Sequence, residues 1–195
     1  MTAPPVTTRP ATISELHEVA ALCTAAFADE AVMAWALPDP VTRLTYLRGV
    51  FGASLGAAVD TGALILAVAD GVPAGASIRV PRSGIPETTE PPAGDDPVSR
   101  RLRAVQEATD TRHPDSPHLY LQSMAVRPEH RRRGAGSAMI TSGLARAGER
   151  ELPVYLEAST PDNRKLYERH GFRDRGEPIR LPDDGPSLQP MWLDA

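Results

Sequence analysis

The chain has 195 residues, 41% apolar and 24% charged, with a formal net charge of −4. That balance suits one globular domain over 1–195 with a substantial core, and the acidity speaks against nucleic acid as the main partner. No apolar run reaches the ~18 residues of a membrane span, MTAPPVTTRP has no signal-peptide pattern, and the single Cys23 excludes an internal disulfide or a cysteine-rich zinc site, so a reducing cytoplasm is expected.

In chain order, VTTRPAT reads as a short first strand and TISELHEVAALCTAAF as a helix. Thr12 and Glu15 have capping-box spacing. Ile13, Leu16, Ala20, Cys23 and Phe27 recur on one face, which places Cys23 in the core. Pro38 and Pro40 break the chain before a second helix, about 41–59. ALILAVAD, GVPAG and ASIRV read as strand, turn and strand, with the turn near Gly71. Residues 81–117 hold seven prolines. They read as a lid or an insertion, with a short helix capped by Asp96 and opened by Pro97.

HLYLQSMAV is a strand, and GSAMITSGLARAGER is an amphipathic helix with Met139, Ile140, Leu144 and Ala147 on one side. PVYLEAS is a strand. TPDNRKLYERHG is a compact helix, with Thr160 as N-cap, Pro161 first and Gly171 past its end. FRDRGEPIRL and LQPMWL supply two more strands. Strand–helix–strand in the middle implies a parallel crossover, and the flanking hairpins imply antiparallel neighbours. The expected architecture is α/β, a mixed and mostly antiparallel sheet of about seven strands with helices on both faces.

RPEHRRRGAG, residues 127–136, packs four arginines and two glycines between a strand and a helix. A helix start has unpaired N–H groups and partial positive charge. Glycines permit a sharp turn and close approach, and arginines add forked donors. Together these make a phosphate cradle. Neither the GxxxxGK[ST] nor the GxGxxG spacing is present. Nucleic-acid binding through these arginines would need an aromatic stacking platform, which the sequence lacks. Of 21 basic residues only Lys165 is a lysine, a bias typical of GC-rich bacterial genomes.

With that stretch in view, residues 119–172 resemble the acyl-CoA-binding core of the GNAT superfamily, the GCN5-related N-acetyltransferases. Arg131, Gly134 and Gly136 match its [QR]-x-x-G-x-[GA] signature, and MAVRPEHR resembles the end of its fourth strand. YLEASTPDNRKLYERHGF resembles the fifth strand and the helix after it, through Asn163, Tyr167, Glu168, Gly171 and Phe172.

The resemblance implies acetyl-CoA as co-substrate, direct attack by the amine of a small molecule, no metal, a splay between strands four and five, and a homodimer. Backbone N–H groups from Arg131 through Arg132, Arg133, Gly134, Ala135 and Gly136 to Ser137 would hold the pyrophosphate, with Asn163 nearby. One of Arg131, Arg132, Arg133 or Arg164 would meet the 3′-phosphate. Met124 and Val126 would pair with the pantetheine arm, and the Met124 or Ala125 amide would face the thioester oxygen.

Tyr167 would protonate the leaving thiolate; its alternative is an aromatic packed beside Leu166. For the base, Glu157 is the available carboxylate, raised in pKa by burial. A water chain through Tyr120 and Gln122, or no base, stays open. Asp29, Glu30, Met33 and Trp35 are expected around the acceptor. His17, His113 and His130 show no metal spacing and read as surface residues. Acetylation of a protein lysine or N-terminus, and a non-catalytic acyl-CoA sensor, are the other readings.

Overall fold

The computed structural model describes residues 5–85 and 93–195. Pro86, Pro91 and Pro92 of the 81–117 segment lie outside the described residues. β1 (Thr7–Pro10) leads through a 3₁₀ turn (Ile13–Glu15) into α1 (Leu16–Phe27). The Glu15 carboxylate accepts the Thr12 N–H at 2.9 Å, as the capping box requires. Ile13, expected on the buried stripe, is 68% exposed. The 3₁₀ turn winds three residues per turn instead of 3.6, so Ile13 rotates off the face of Val19, Leu22 and Cys23. Burial pushes the Cys23 thiol up to about 12, so it is core and not nucleophile.

α2 (Ala31–Ala36) is a six-residue helix absent from the expected order, capped by Glu30. α3 (Pro40–Asp60) opens on Pro40 with Asp39 accepting from the Thr42 N–H at 2.7 Å. Leu47, Phe51, Leu55 and Ala58 form its buried stripe and meet α1, where the Phe27 and Phe51 ring centroids are 5.5 Å apart. Each fully buried leucine there contributes about 2 kcal/mol of transfer free energy.

β2 (Leu64–Ala69) and β3 (Val72–Arg82) form the expected hairpin. Asp70 and Gly71 take φ of 52° and 80°, both left-handed, which matches the right-handed twist of the strands. α4 (Pro97–Asp110) is the helix expected in the insertion, with Asp96 accepting from the Val98 and Ser99 N–H groups. β4 (His118–Val126), α5 (Ala135–Gly148), β5 (Val154–Ala158) and α6 (Pro161–Glu168) follow. The tail forms β6 (Arg173–Asp174), β7 (Ile179–Arg180) and β8 (Ser187–Leu193). FRDRGEPIRL thus yields two short strands where one was expected, because Gly176 turns left-handed (φ 76°) and Pro178 follows.

Among the described residues the sheet runs β1-β2-β3-β4-β5-β8-β6, with β7 also paired to β8. The β4–β5 pair is parallel and its other neighbours are antiparallel. Leu64, Leu66, Ala76 and Ile78 pack under α1 and α3. Ala67, Ala69 and Ala74 pack under α5 on the other face. Burial on both faces explains why LILAVA is a continuous apolar run.

β4 carries the feature that shapes the site. Ile78 pairs with Ser123, yet its neighbour Arg79 pairs with Leu121, so Gln122 is the extra residue of a β-bulge. Before it, Leu119 and Leu121 face the α5 and α6 side; after it, Ala125 faces the α1 and α3 side. A bulge bends its strand and reverses side-chain parity. β4 pairs with β5 only at Leu119–Val154 and Tyr120–Tyr155. Beyond Tyr120 the two strands part, while β5 continues along β8 to Ala158–Gln189.

Candidate active site at the splay of the sheet

The arginine–glycine stretch lies beyond the end of β4. A 3₁₀ turn (Pro128–His130) leads to Arg131, and Arg132 (φ 59°) and Gly134 (φ 92°) both turn left-handed. Left-handed residues in such a turn aim successive N–H groups to one side, an anion-binding concavity. The first α-helical bond of α5 runs from the Ala138 N–H to the Gly134 carbonyl at 2.9 Å. The N–H groups of Ala135, Gly136 and Ser137 therefore precede the helical ladder. A Cβ at Gly136 would lie 3.2 Å from Leu166 Cδ2, so this glycine brings the start of α5 against α6.

Arg131, Arg132 and Arg133 are exposed. Arg127 ties β4 to the rest of the fold instead: its Nε donates to the Pro73 carbonyl at 2.7 Å and its Nη2 to Glu18 at 2.9 Å. Arg164, one of four arginines considered for a 3′-phosphate, donates to Asp174 at 2.9 and 2.5 Å and sits 3.3 Å from Glu168. Met124, Ala125 and Val126 pair with Ser77, Ala76 and Gly75 along one edge of β4. Among the described residues their other edge has no partner strand, since pairing with β5 ended at Tyr120.

Where the strands part, Tyr120, Tyr155 and Glu157 project to one face. The Tyr120 hydroxyl donates to Glu157 Oε2 at 2.9 Å. Glu157 Oε1 and the Tyr155 hydroxyl are buried, and among the described residues neither has a partner in hydrogen-bonding geometry. Burial pushes the Glu157 carboxyl up to about 7, and the hydroxyls of Tyr120 and then Tyr155, which favour the charged form, oppose part of that rise. Burial and the neighbouring Glu157 charge raise Tyr120 well above the ordinary phenol range, so it stays a donor.

Tyr167 on α6 is buried in edge contact with Phe172, centroids 5.8 Å apart. Burial raises its hydroxyl pKa, and the Glu157 charge adds to that. The two groups therefore share one electrostatic environment. Asn163 takes its cap from Thr160 and donates through Nδ2 to Ser159 Oγ at 3.4 Å.

The match to family models covers residues 29–172 with the acetyltransferase (GNAT) family. The chain belongs to the GNAT family of acetyltransferases. Among solved structures it is similar to one described as histone acetyltransferase HPA2 and related acetyltransferase from Corynebacterium glutamicum, at 26% identity and TM-score 0.75, covering 100% of this chain and 98% of that one. A polyamine N-acetyltransferase of Drosophila melanogaster shares 19% identity at TM-score 0.68, covering 98% and 100%. Arylalkylamine N-acetyltransferase 2 of Aedes aegypti shares 12% identity at TM-score 0.71, covering 98% and 99%. The latter two likenesses are of fold.

In this GNAT chain the insertion folds back onto the sheet. Val105 and Ala108 of α4 pack with Trp35, Val32, Ile179, Leu181 and Leu188. His113, expected from the sequence to be a surface residue, is half-buried. Its ring meets Tyr120 edge-on at 4.5 Å and lies 5.0 Å from Tyr155 and 5.7 Å from His118. The His118 Nδ1 donates to the Ser116 carbonyl at 2.8 Å, which turns the Nε2 lone pair towards His113 Nδ1 at 3.5 Å. Burial lowers the His118 pKa, which favours the neutral ring. His130 is also half-buried, with Nδ1 out of solvent.

The residues expected around the acceptor are dispersed. Asp29 is exposed. Glu30 Oε2 accepts from the Val32 and Met33 N–H groups at 2.9 and 3.1 Å, and its Oε1 is buried without a partner among the described residues. Trp35 is pinned by Arg101, 5.4 Å over its ring, and donates to the Asp183 carbonyl at 3.4 Å. Gln122 is exposed at the bulge. Tyr155 is a site residue that sequence reasoning missed, although period-two spacing from Glu157 in PVYLEAS places both on one face. Among the described residues no cluster of three or more His, Cys, Asp or Glu has metal-holding geometry, and no helix is long and apolar enough to cross a membrane.

Proposed function

We propose that the chain is a single acyl-CoA N-acyltransferase domain that moves the acetyl group of acetyl-CoA to the primary amine of a small molecule by direct attack. The observation that carries this is Glu157, half-buried beside the parting of β4 and β5, with Tyr120 donating to Oε2 and with Oε1 out of solvent and without a hydrogen-bond partner among the described residues. A carboxyl poised near 7 can take a proton from an ammonium group at neutral pH. In this reading Glu157 is the base, Tyr120 holds it in place, and the free oxygen receives the amine proton directly or through water.

The turn from Arg131 to Ser137 holds the pyrophosphate, and Arg131, Arg132 or Arg133 the 3′-phosphate. Met124 and Val126 pair with the pantetheine arm, and the amide of Met124 or Ala125 stabilises the thioester oxygen. As the N–C bond forms and the C–S bond breaks, Tyr167 donates its proton to the thiolate. Asn163 lines the start of α6. Of the residues expected around the acceptor, the exposed Asp29 and Gln122 remain available to it, while Glu30 is spent capping α2 and Trp35 lies under Arg101.

The Drosophila and Aedes neighbours, named for polyamines and arylalkylamines, support a small amine as acceptor. The layout also resembles puromycin N-acetyltransferase, with AAFAD early and YERHGF late. A second reading, acetylation of a protein lysine or N-terminus, is favoured by the description of the Corynebacterium neighbour. An acceptor panel of polyamines, arylalkylamines, aminonucleosides and lysine peptides, with acetyl-CoA and a free-thiol readout, tests both. Thiol release with small amines alone supports the first reading and release with peptides alone the second. No release from any acceptor, with coenzyme A still bound, leaves a non-catalytic sensor.

A further inference from the structure

At the far end of α5 from the phosphate cradle lies a pocket of about 240 Å³, lined by Arg79, Arg146, Arg150, Gly62, Leu119 and Leu152 among others. Arg146 is ten residues past Gly136, so the two ends are about 15 Å apart along the helix. Arg79 comes from β3 and is 6% exposed. Its Nη2 donates to the Met139 carbonyl, while its Nη1 is buried with no hydrogen-bond partner among the described residues. A Cβ at Gly143 would fall 2.4 Å from Arg79 Nε, so only glycine leaves room for this guanidinium.

Arg146 spends one N–H on the Gly62 carbonyl at 3.0 Å. Among the described residues no carboxylate forms an ion pair with any of the three arginines. Burial, and then the Arg146 charge, push the Arg79 pKa down to about 10, as expected of a buried cation facing a second cation. Removing a charge from water without a counter-charge is costly. A pocket of this size also has room for several waters or a small solute.

We propose that this pocket binds a small oxyanion carrying two or more negative charges, held by the forked donors of Arg79, Arg146 and Arg150. Guanidinium forks match carboxylate and phosphate alike, so the source is either a polycarboxylate or a phosphate compound. The site is separate from the cradle for coenzyme A and independent of the acceptor.

The test is thermal denaturation and calorimetric titration of the full chain with citrate and with inorganic phosphate, at ionic strength held constant with sodium chloride. Saturating coenzyme A fills the cradle. Each titration is repeated with Arg146→Ala/Arg150→Ala, two exposed positions whose loss spares the core. Saturable stabilisation is expected for citrate, phosphate or both, with affinity about tenfold or more weaker in the double variant. Citrate alone assigns a polycarboxylate, and phosphate alone assigns a phosphate compound. No saturable effect of either anion, or the same effect in both proteins, overturns the proposal. Should coenzyme A fail to bind, comparison of the two proteins without it still reads this pocket.

Discussion

The Tyr120 hydroxyl donates to Glu157 Oε2 at 2.9 Å, one strand away and just where β4 and β5 cease to pair. The bond joins the last paired rung of the parallel ladder to the first carboxylate beyond it. Its consequences are measurable in both rate and stability.

For activity, a base titrating near 7 makes kcat/KM with acetyl-CoA and a saturated pool of acceptor rise with pH through about 7 and then level off. Glu157→Gln is expected to lower kcat by ~100-fold or more and to abolish that limb. A pH–rate profile of both proteins checks this. A variant with the same limb would remove Glu157 from the role.

For stability the sign follows from the direction of the shift. The folded-state pKa of Glu157, about 7, lies above its ordinary 4.5. Its contribution is fully present below about 4.5 and is lost as pH rises through 7. A shift of this size corresponds to about 3 kcal/mol. Urea denaturation of wild type against Glu157→Gln should therefore show the wild type losing ground between pH 4.5 and 8. A constant difference across that range would contradict it.

Tyr120→Phe removes a donor that favours the charged carboxylate. The Glu157 pKa should rise further, moving the pH limb of kcat/KM to more alkaline values, with kcat at pH 7 reduced. The same profile in Tyr120→Phe as in wild type would mean that the hydrogen bond does not tune the base.

Tyr167→Phe keeps the ring against Phe172 and removes only the hydroxyl. If Tyr167 protonates the thiolate, kcat falls by ~100-fold or more while calorimetric affinity for coenzyme A is unchanged. Loss of coenzyme A affinity with kcat retained would make it a packing residue.

Gly134→Ala tests the cradle. The position has open space but a φ of 92°, where an L side chain costs about 1–2 kcal/mol. The variant is expected to melt a few degrees lower and to show a raised KM for acetyl-CoA with kcat little changed. An unaltered KM would argue that the turn does not carry the pyrophosphate.

Much of the molecule is legible in its sequence because the signals are local. Asp96–Pro97 and Thr160–Pro161 start helices through contacts within three residues. Asp70–Gly71 closes a hairpin, and Arg131 to Gly136 turns left-handed where Arg132 and Gly134 stand. The short α2 is not legible, because six residues carry too little periodicity to register. The bulge at Gln122 is equally invisible, since an extra residue exists only relative to the partner strand.

What the sequence alone determined, then, is the order of the elements apart from α2 and the split of β6 from β7, the arginine–glycine turn before α5, and Glu157 and Tyr167 as candidate chemical groups, since caps, turns and period depend on neighbours along the chain. Only the tertiary structure decided that Tyr120 and Tyr155 flank Glu157, that His113 folds in from the insertion to lie against them, and that Arg79 is buried with no ion-pair partner among the described residues. Those relations join residues tens of positions apart. They arise from strand pairing, a reversed parity and exclusion from water, which no local pattern encodes.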